Sequence, residues 1–196
     1  IYNQLGLKTI TYHPLDYYSK SKIIPTELDN SWRYGLLHGF VHDPSAALLG
    51  GMTGNAGLYS DAHDLGILFQ MVLNKGSYGG IQYLKPNVVE TFTKRFDDTQ
   101  RALGFDMPNR KAIVGKKASQ NTFGHSGYTG TCVWVDPDNQ IVYVFLSNRN
   151  HPSGDNWKIV THKIRERIHD AIYDAIIKTE DKKENEGKLI VENQVQ

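Results

Sequence analysis

The sequence predicts an α+β fold in which helices cover an antiparallel sheet. Three observations support this prediction: an amphipathic helix follows residue 60, an apolar hairpin occupies residues 132–146, and a long apolar stripe runs through residues 155–177. This order of helices, hairpin and C-terminal helix favours antiparallel pairing. With 196 residues, of which 39% are hydrophobic, the chain can form one domain or a large piece of a bigger one.

Residues 1–58 show little hydrophobic periodicity. The first 45 are rich in Tyr, Pro and Asp, which predicts an irregular segment with short turns. Residues 46–58 place four glycines among small apolar side chains, which predicts tight turns and close backbone contacts. A long irregular stretch is uncommon in a compact domain unless it lines a site.

The clearest helix follows this segment. Ser60 or Asp61 can cap its N-terminus, and Asp64 suits the positive end of the helix dipole. Gly76 is expected to end it. Its predicted inward face comprises Leu65, Leu68, Phe69, Val72 and Leu73.

Two weaker elements are predicted before the hairpin. A helix is expected to begin at Pro86, since proline is favoured at a first helical position, and to run to about Arg95. A short strand is expected over residues 103–107. The inward side chains of this helix are predicted to be Val89, Phe92 and Thr93.

The hairpin has apolar side chains on both faces of both arms, so its strands are predicted to be central and covered by helices. The residues from Asp136 to Asn139 supply its turn. Cys132 lies within this alternation. Because it is the only cysteine, it excludes an internal disulfide, and inert core packing is its expected role.

The last helix is predicted over residues 155–177, with an apolar stripe that can cover one sheet face. The stripe comprises Val160, Ile164, Ile168, Ala171, Ile172, Ala175 and Ile176. Residues 179–196 are predicted to be a polar tail. No stretch has the length and hydropathy of a transmembrane segment.

The charges are balanced, with 22 basic and 21 acidic residues and a net charge of +1. The one dense charge run, residues 178–188, mixes both signs, and there is no basic patch. We therefore predict no nucleic-acid partner. We also predict no cofactor.

Three glycines, Gly124, Gly127 and Gly130, surround His125 and Ser126 where the predicted sheet begins. Glycine lets a backbone approach a ligand closely, and backbone N–H groups can stabilise a developing oxyanion. Histidine can carry a proton or a positive charge, and a serine hydroxyl can bond a substrate. The alternative interpretation is a glycine-bent strand edge with a purely structural histidine.

A second polar cluster lies in the loop of residues 32–43. His38 and His42 are four residues apart and Asp43 follows, a spacing that would suit zinc on a helix. Gly39 argues against a helix and stands where a His-Glu-x-x-His motif needs glutamate. We prefer a loop that borders a substrate cleft, with no metal, and keep a metal-dependent hydrolase as an alternative.

Four stretches follow one another in a fixed order: Gly54 to Leu65, Leu103 to Phe105, Gly124 to Gly130, and the hairpin that ends near Arg149. This ordered set resembles the C-terminal half of serine β-lactamase-like proteins, the group of class C β-lactamases, penicillin-binding proteins and esterases. The resemblance covers about residues 1–178, which it makes the C-terminal portion of a β-lactamase/transpeptidase-like domain.

The resemblance implies acyl transfer. In this family a Ser-x-x-Lys serine attacks a carbonyl, a Tyr-x-Asn tyrosine assists proton transfer, and a third triad holds the substrate. That triad is here His125-Ser126-Gly127, and the Tyr128 N–H would form half of the oxyanion hole. The expected substrates are D-alanyl peptides of peptidoglycan, β-lactams or small esters. Residues expected to line the cleft are His38, His42, Asp43 and Asn55.

The sequence departs from the family in one respect. It contains no Tyr-x-Asn, and its one Ser-x-x-Lys, at Ser19, falls in a loop rich in Pro and Tyr and is attributed to chance. In the family both motifs precede the segment that residues 5–9 resemble. We therefore expect the nucleophile to lie upstream, in an N-terminal remainder of the domain that would be this chain's partner. The chain alone is expected to be inactive and can associate with a second copy.

The His-Asp-rich loop is also similar to that of β-lactamase-like domains fused behind family 3 glycosidases (β-N-acetylhexosaminidases) in Bacteroides-like bacteria. This similarity implies a cell-envelope location, in the periplasm or associated with the outer membrane. Two alternatives remain: a non-catalytic module that binds the cell wall, or an accessory domain of a β-N-acetylhexosaminidase.

Overall fold

A computed structural model describes residues 1–97, 99–109 and 111–176. Its helices are α1 (Pro44–Leu48), α2 (Ala62–Leu73), α3 (Pro86–Thr93), α4 (Lys158–Thr161) and α5 (164–176). Its strands are β1 (Glu27–Asp29), β2 (Gly35–Leu37), β3 (Ser77–Tyr78), β4 (Ile81–Gln82), β5 (Phe123–Ser126), β6 (Cys132–Asp136) and β7 (Ile141–Phe145). The predicted polar tail lies outside the described residues.

The strands form three antiparallel sheets, β1-β2, β3-β4 and β5-β6-β7, which confirms the predicted α+β fold. In the largest sheet His125 pairs with Val133, and Trp134 pairs with Tyr143. Strand β6 is central, as predicted. Among the described residues β7 pairs with β6 alone, so the prediction of a central position holds for only one arm of the hairpin.

Side chains along β6 point alternately to the two faces of the sheet, and both faces are covered. On one face Val135 packs with Phe123 and with Leu73 of α2. On the other, Cys132 and Trp134 belong to a cluster that also contains Tyr173 of α5. The predicted core role of Cys132 is confirmed. Burial raises the pKa of its thiol to about 12, and Arg165 opposes that rise only in part.

Helix α2 begins and ends largely as the sequence predicts. The Asp61 carboxylate accepts from the Asp64 N–H at 2.9 Å as the N-cap. After Leu73 the chain leaves the helix, and Gly76, at φ +90°, donates its N–H to the Met71 carbonyl. Met71, 1% exposed, was missed by the predicted inward face.

Two predictions for residues 86–107 need correction. Helix α3 buries Val89, but Phe92 is 50% exposed, so its predicted inward position is wrong. The short strand expected over residues 103–107 does not form. Gly104 turns the chain at φ +83°, and only Asp106 lies alongside β5, through a bridge to Gly124.

The C-terminal helix differs most from its prediction. It begins at Lys158 and is interrupted at Lys163, whose φ of +50° is left-handed. The residues buried along α5 are Arg165, His169 and Tyr173, each four apart, whereas Ile168 and Ile176 of the predicted apolar stripe are 39% and 40% exposed.

The buried face of α5 makes polar contacts. The covered sheet face and the segment beside it present backbone and carboxylate groups that need partners. The Tyr173 hydroxyl donates to the Asp136 carboxylate at 2.6 Å, and Arg165 donates to the Gly130 carbonyl at 3.3 Å. The Nδ1 atom of His169 accepts from the Gly115 N–H at 3.2 Å.

Across the described ranges, the structure has no helix with the length and hydropathy needed to cross a membrane.

Candidate functional site

Strand β5 presents an open edge at the position of the His-Ser-Gly motif. Gly124 exchanges both of its backbone hydrogen bonds with Asp106, on the side of β5 that faces away from β6. Backbone groups alternate in direction along a strand, so the Ser126 N–H faces that same outer side. The Tyr128 N–H, just past the strand, has no hydrogen-bond partner among the described residues. Two N–H groups are therefore available along this edge.

The three glycines are required by contacts within the chain itself. A Cβ at Gly124 would collide with the Val133 carbonyl oxygen, and a Cβ at Gly127 would collide with the Thr131 hydroxyl. Gly130 adopts φ +100°, and a Cβ there would lie 2.6 Å from the Ser147 hydroxyl. The glycines thus admit the neighbouring strand and loop, and their close approach to a ligand stays a prediction.

His125 stands at the surface of this edge, with 53% of its side chain exposed. Its Nδ1–H donates to the Ser126 carbonyl at 2.8 Å, which restrains the ring. Its Nε2 atom lies 3.8 Å from a carboxylate oxygen of Asp106, which also pairs with Arg101. Sequence reasoning missed Asp106, because only the pairing of distant segments brings it beside His125.

The structure brings one residue of the polar loop to the same place. The His42 ring stacks on the Tyr128 ring, with centroids 5.2 Å apart and an interplanar angle of 20°. The Nε2 atom of His42 bonds the carboxylate of Glu27, on β1. Tyr128 itself is 60% exposed. The loop and the His-Ser-Gly edge are thus directly in contact.

Each of the other three predicted cleft residues forms a hydrogen bond with another residue of the region 23–55. His38 donates its Nε2–H to the Ile23 carbonyl, the Asp43 carboxylate caps α1 by accepting from the Ala46 N–H, and the Asn55 side-chain oxygen accepts from the Thr53 hydroxyl.

The structure also allows the alternative of a metal-dependent hydrolase to be examined. No group of three or more His, Cys, Asp or Glu side chains within the described part of the chain could hold a metal ion. The loop therefore lacks the convergent ligands that a metal-dependent hydrolase would need.

A cavity of about 530 Å³ lies beside the polar loop. Its lining includes His13, Trp32, Phe40, Val41 and Tyr59. Residues 125–128 do not line it, so the cavity is separate from the edge of β5. Its walls are mainly apolar and aromatic.

Arg149 is a second residue that sequence reasoning left without a role. It is 6% exposed, and its Nε–H donates to the Tyr128 carbonyl at 2.9 Å. Its guanidinium lies 4.6 Å from the centroid of the Tyr128 ring and 3.9 Å from that of Trp157. Its place directly after the second arm of the hairpin was the only signal in the sequence.

The helix-covered antiparallel sheet, with N–H groups and an exposed histidine at one edge, agrees with the fold of the β-lactamase-like class that the sequence resembles. The sequence model described as Beta-lactamase matches residues 17–163. The chain belongs to this family.

Two relatives from Salmonella paratyphi B and Salmonella newport, both named "Putative D-alanyl-D-alanine carboxypeptidase", are 37% identical to this chain over 175 residues. The match covers 81% of this chain and 40% of each relative, so the chain spans about two fifths of their length. A β-lactamase structure from Mycobacterium bovis shares the fold, with a TM-score of 0.50 and 22% identity over 66% of this chain and 53% of that one.

Proposed function

We propose that this chain forms the substrate-binding wall of a serine acyl-transfer site. The observation that carries the proposal is the open edge of β5, where the Tyr128 N–H, unpaired among the described residues, follows the exposed His125 and the Ser126 N–H. Free N–H groups on a rigid strand are suited to an extended peptide or to a developing oxyanion.

Each residue of this edge has a distinct proposed role. His125 orients the substrate and places positive charge near an anionic group when protonated. The Ser126 hydroxyl hydrogen-bonds the substrate, and Gly127 keeps the strand close to Thr131 so that the edge stays straight. The Tyr128 N–H supplies half of the oxyanion hole. His38, His42, Asp43 and Asn55 are proposed to border the cleft.

The proposed substrates are D-alanyl peptides of peptidoglycan, β-lactams or small esters. The names of the Salmonella relatives support D-alanyl peptides within this class. The proposed nucleophile belongs to an N-terminal remainder of the domain, and residues 1–178 are its C-terminal portion. No catalytic residue is assigned within this chain.

Covalent labelling with a fluorescent penicillin tests this proposal. The full-length protein that contains this segment should be labelled, whereas the purified 196-residue chain should not. Labelling of the short chain would contradict the placement of the nucleophile. A full-length protein that binds peptidoglycan without being labelled would support the non-catalytic cell-wall module instead.

We also propose that the protein resides in the cell envelope and that its gene joins this domain to a family 3 glycosidase. Both proposals rest on the sequence resemblance. Sequencing of the gene upstream of this segment tests the fusion, and fractionation of cells tests the location. A gene without glycosidase motifs would contradict the fusion and leave the acyl-transfer proposal intact.

A further inference from the structure

We infer that Arg149 is a positioning residue that holds Tyr128 in place, an inference that rests on the proposed oxyanion role of the Tyr128 N–H. Arg149 is nearly buried, and it acts on Tyr128 through a hydrogen bond to the backbone carbonyl and contact with the ring.

Arg149 connects the backbone of Tyr128 to a neighbouring loop. Its Nε–H donates to the Tyr128 carbonyl, and its Nη1 donates to the carbonyls of Gly154 and Asn156 at 2.7 and 3.3 Å. Its own backbone N–H donates to the Thr129 carbonyl at 2.9 Å. A nearly buried guanidinium with these acceptors is held in one orientation, so it can hold its partners in turn.

The contacts close into a ring that reaches the polar loop. From Arg149 they run through Gly154, whose N–H donates to a Glu27 carboxylate oxygen at 3.2 Å. The other oxygen of Glu27 bonds His42, whose ring stacks on Tyr128, and Tyr128 returns to Arg149. Four separate segments of the chain are joined by this ring, and Tyr128 is the member next to the open edge.

The turn that contains Tyr128 is closed by backbone hydrogen bonds from Gly127 to Thr131 and from Gly130 to Gly127, but it offers the Tyr128 side chain little packing. Tyr128 lies between Gly127 and Gly130, which have no side chains to pack, and 60% of its surface is exposed. An oxyanion donor must be held within about 0.5 Å of its working position. Displacement of a positioned group by about 1 Å costs on the order of 100-fold in rate.

The substitution Arg149→Lys tests the inference. Lysine keeps the positive charge, but it lacks the planar fork that bonds several carbonyls and stacks on a ring. In the full-length protein, the acylation rate constant for a chromogenic β-lactam should fall by about 10- to 100-fold. The dissociation constant of the noncovalent complex should stay within about twofold, because the lost interaction acts mainly in the transition state.

Arg167→Lys is the matched control, since Arg167 lies exposed on α5 and the same substitution there should leave the rate unchanged. A second variant, Tyr128→Leu, retains the backbone N–H and removes the ring contacts to His42 and Arg149. It should slow acylation in the same way. The double variant should be less impaired than the product of the two single effects, because both substitutions act on the placement of the same residue, Tyr128.

The outcomes separate this inference from the proposed function. A folded Arg149→Lys protein that acylates at the wild-type rate would overturn the inference while the function stands. If that variant fails to fold, Tyr128→Leu decides in its place, and a wild-type rate again overturns the inference. A wild-type protein that is not acylated at all would overturn the proposed function, and the inference with it.

Discussion

At the level of single residues, exposure separates His125, which is proposed to serve the site, from Asp136, which serves stability. His125 is half exposed, donates one ring N–H to its neighbour's carbonyl, and lies 3.8 Å from the Asp106 carboxylate through the other ring nitrogen. Asp136 is fully buried and accepts hydrogen bonds from Ser119, Asn139 and Tyr173. Substitutions at these two residues should therefore affect different properties.

Replacing His125 with alanine should impair acylation and leave stability nearly unchanged. In the full-length protein we expect the acylation rate with a β-lactam to fall by about 10- to 100-fold, since an orienting group is lost. The melting temperature should change little, because an exposed side chain contributes little packing. A large fall in melting temperature with an unchanged rate would contradict the proposed role.

Replacing Asp136 with asparagine should destabilise the fold. The amide has one acceptor oxygen, and its NH₂ group would face the donors that now bond the carboxylate, so we expect a loss of about 2–4 kcal/mol in the free energy of unfolding. Chemical denaturation of the variant and of the control Asp138→Asn, an exposed residue in the same turn, measures this difference. Equal stabilities would contradict it.

The same carboxylate predicts a response to acid. Burial alone would raise the pKa of Asp136, but hydrogen bonds led by those from Ser119 and Tyr173 outweigh it and hold the pKa well below its ordinary value. The resulting stabilisation is present above the ordinary carboxyl pKa and is lost as the pH falls through the lowered one. Below about pH 4, the free energy of unfolding of Asp136→Asn should therefore fall less steeply with pH than that of the wild type.

At the level of elements, α5 shows that polar contacts can outweigh an apolar stripe. Its buried residues Arg165, His169 and Tyr173 each bond a group on or beside the sheet. Of the predicted stripe, Ile168 and Ile176 are exposed, whereas Ile172 packs against the core as predicted. An unpaired buried donor or acceptor costs about 1–3 kcal/mol, comparable to the burial of one aliphatic side chain. Within the described part of the chain, Arg165 Nε and His169 Nε2 nevertheless stay buried without a hydrogen-bond partner, so hydrogen bonding accounts for the buried face of α5 only in part.

His169 gives α5 a measurable pH dependence. Burial lowers its pKa to about 4, although Asp170 and Asp136 oppose the fall. Between about pH 6.5 and 4 the unfolded chain binds a proton that the folded chain does not, so stability should fall as the pH is lowered through this range. The substitution His169→Gln should flatten this part of the curve of unfolding free energy against pH. The control substitution His162→Gln, at an exposed position, should not. Parallel curves for His169→Gln and the wild type would contradict the burial of a neutral ring.

At the level of the whole molecule, the described surface includes large apolar side chains next to the cavity. Tyr34, Leu48 and Leu49 are 78%, 74% and 74% exposed, and Phe40 is 59% exposed. Exposed apolar side chains in this number are typical of a surface that contacts another protein segment.

The isolated chain should therefore self-associate. Sedimentation velocity at micromolar concentrations should detect dimers or larger species, because association removes apolar surface from water. The double substitution Leu48→Lys and Leu49→Lys should shift the chain toward monomer. The control Ile81→Lys, at a site 57% exposed on β4, should leave association unchanged. A wild-type chain that stays monomeric would contradict this prediction.

Local signals were sufficient for several features of the fold. The Asp61 cap, the first turn of α3 at Pro86 and the turn after Asp136 all lie where the sequence predicts them, because each depends on neighbouring residues. The face of α5 and the position of Asp106 could not be predicted in this way. Each depends on which distant backbone groups lack a partner once the sheet has formed.

The sequence by itself determined the fold class and the family, since these depend on residue types in a fixed order. Only the tertiary structure decided why the glycines are needed, which side chains α5 buries, and that His42 and Arg149 both contact Tyr128. The physical reason is that these contacts join segments far apart in the chain. Their geometry is set by packing and by the pairing of buried polar groups, which the order of residues does not display.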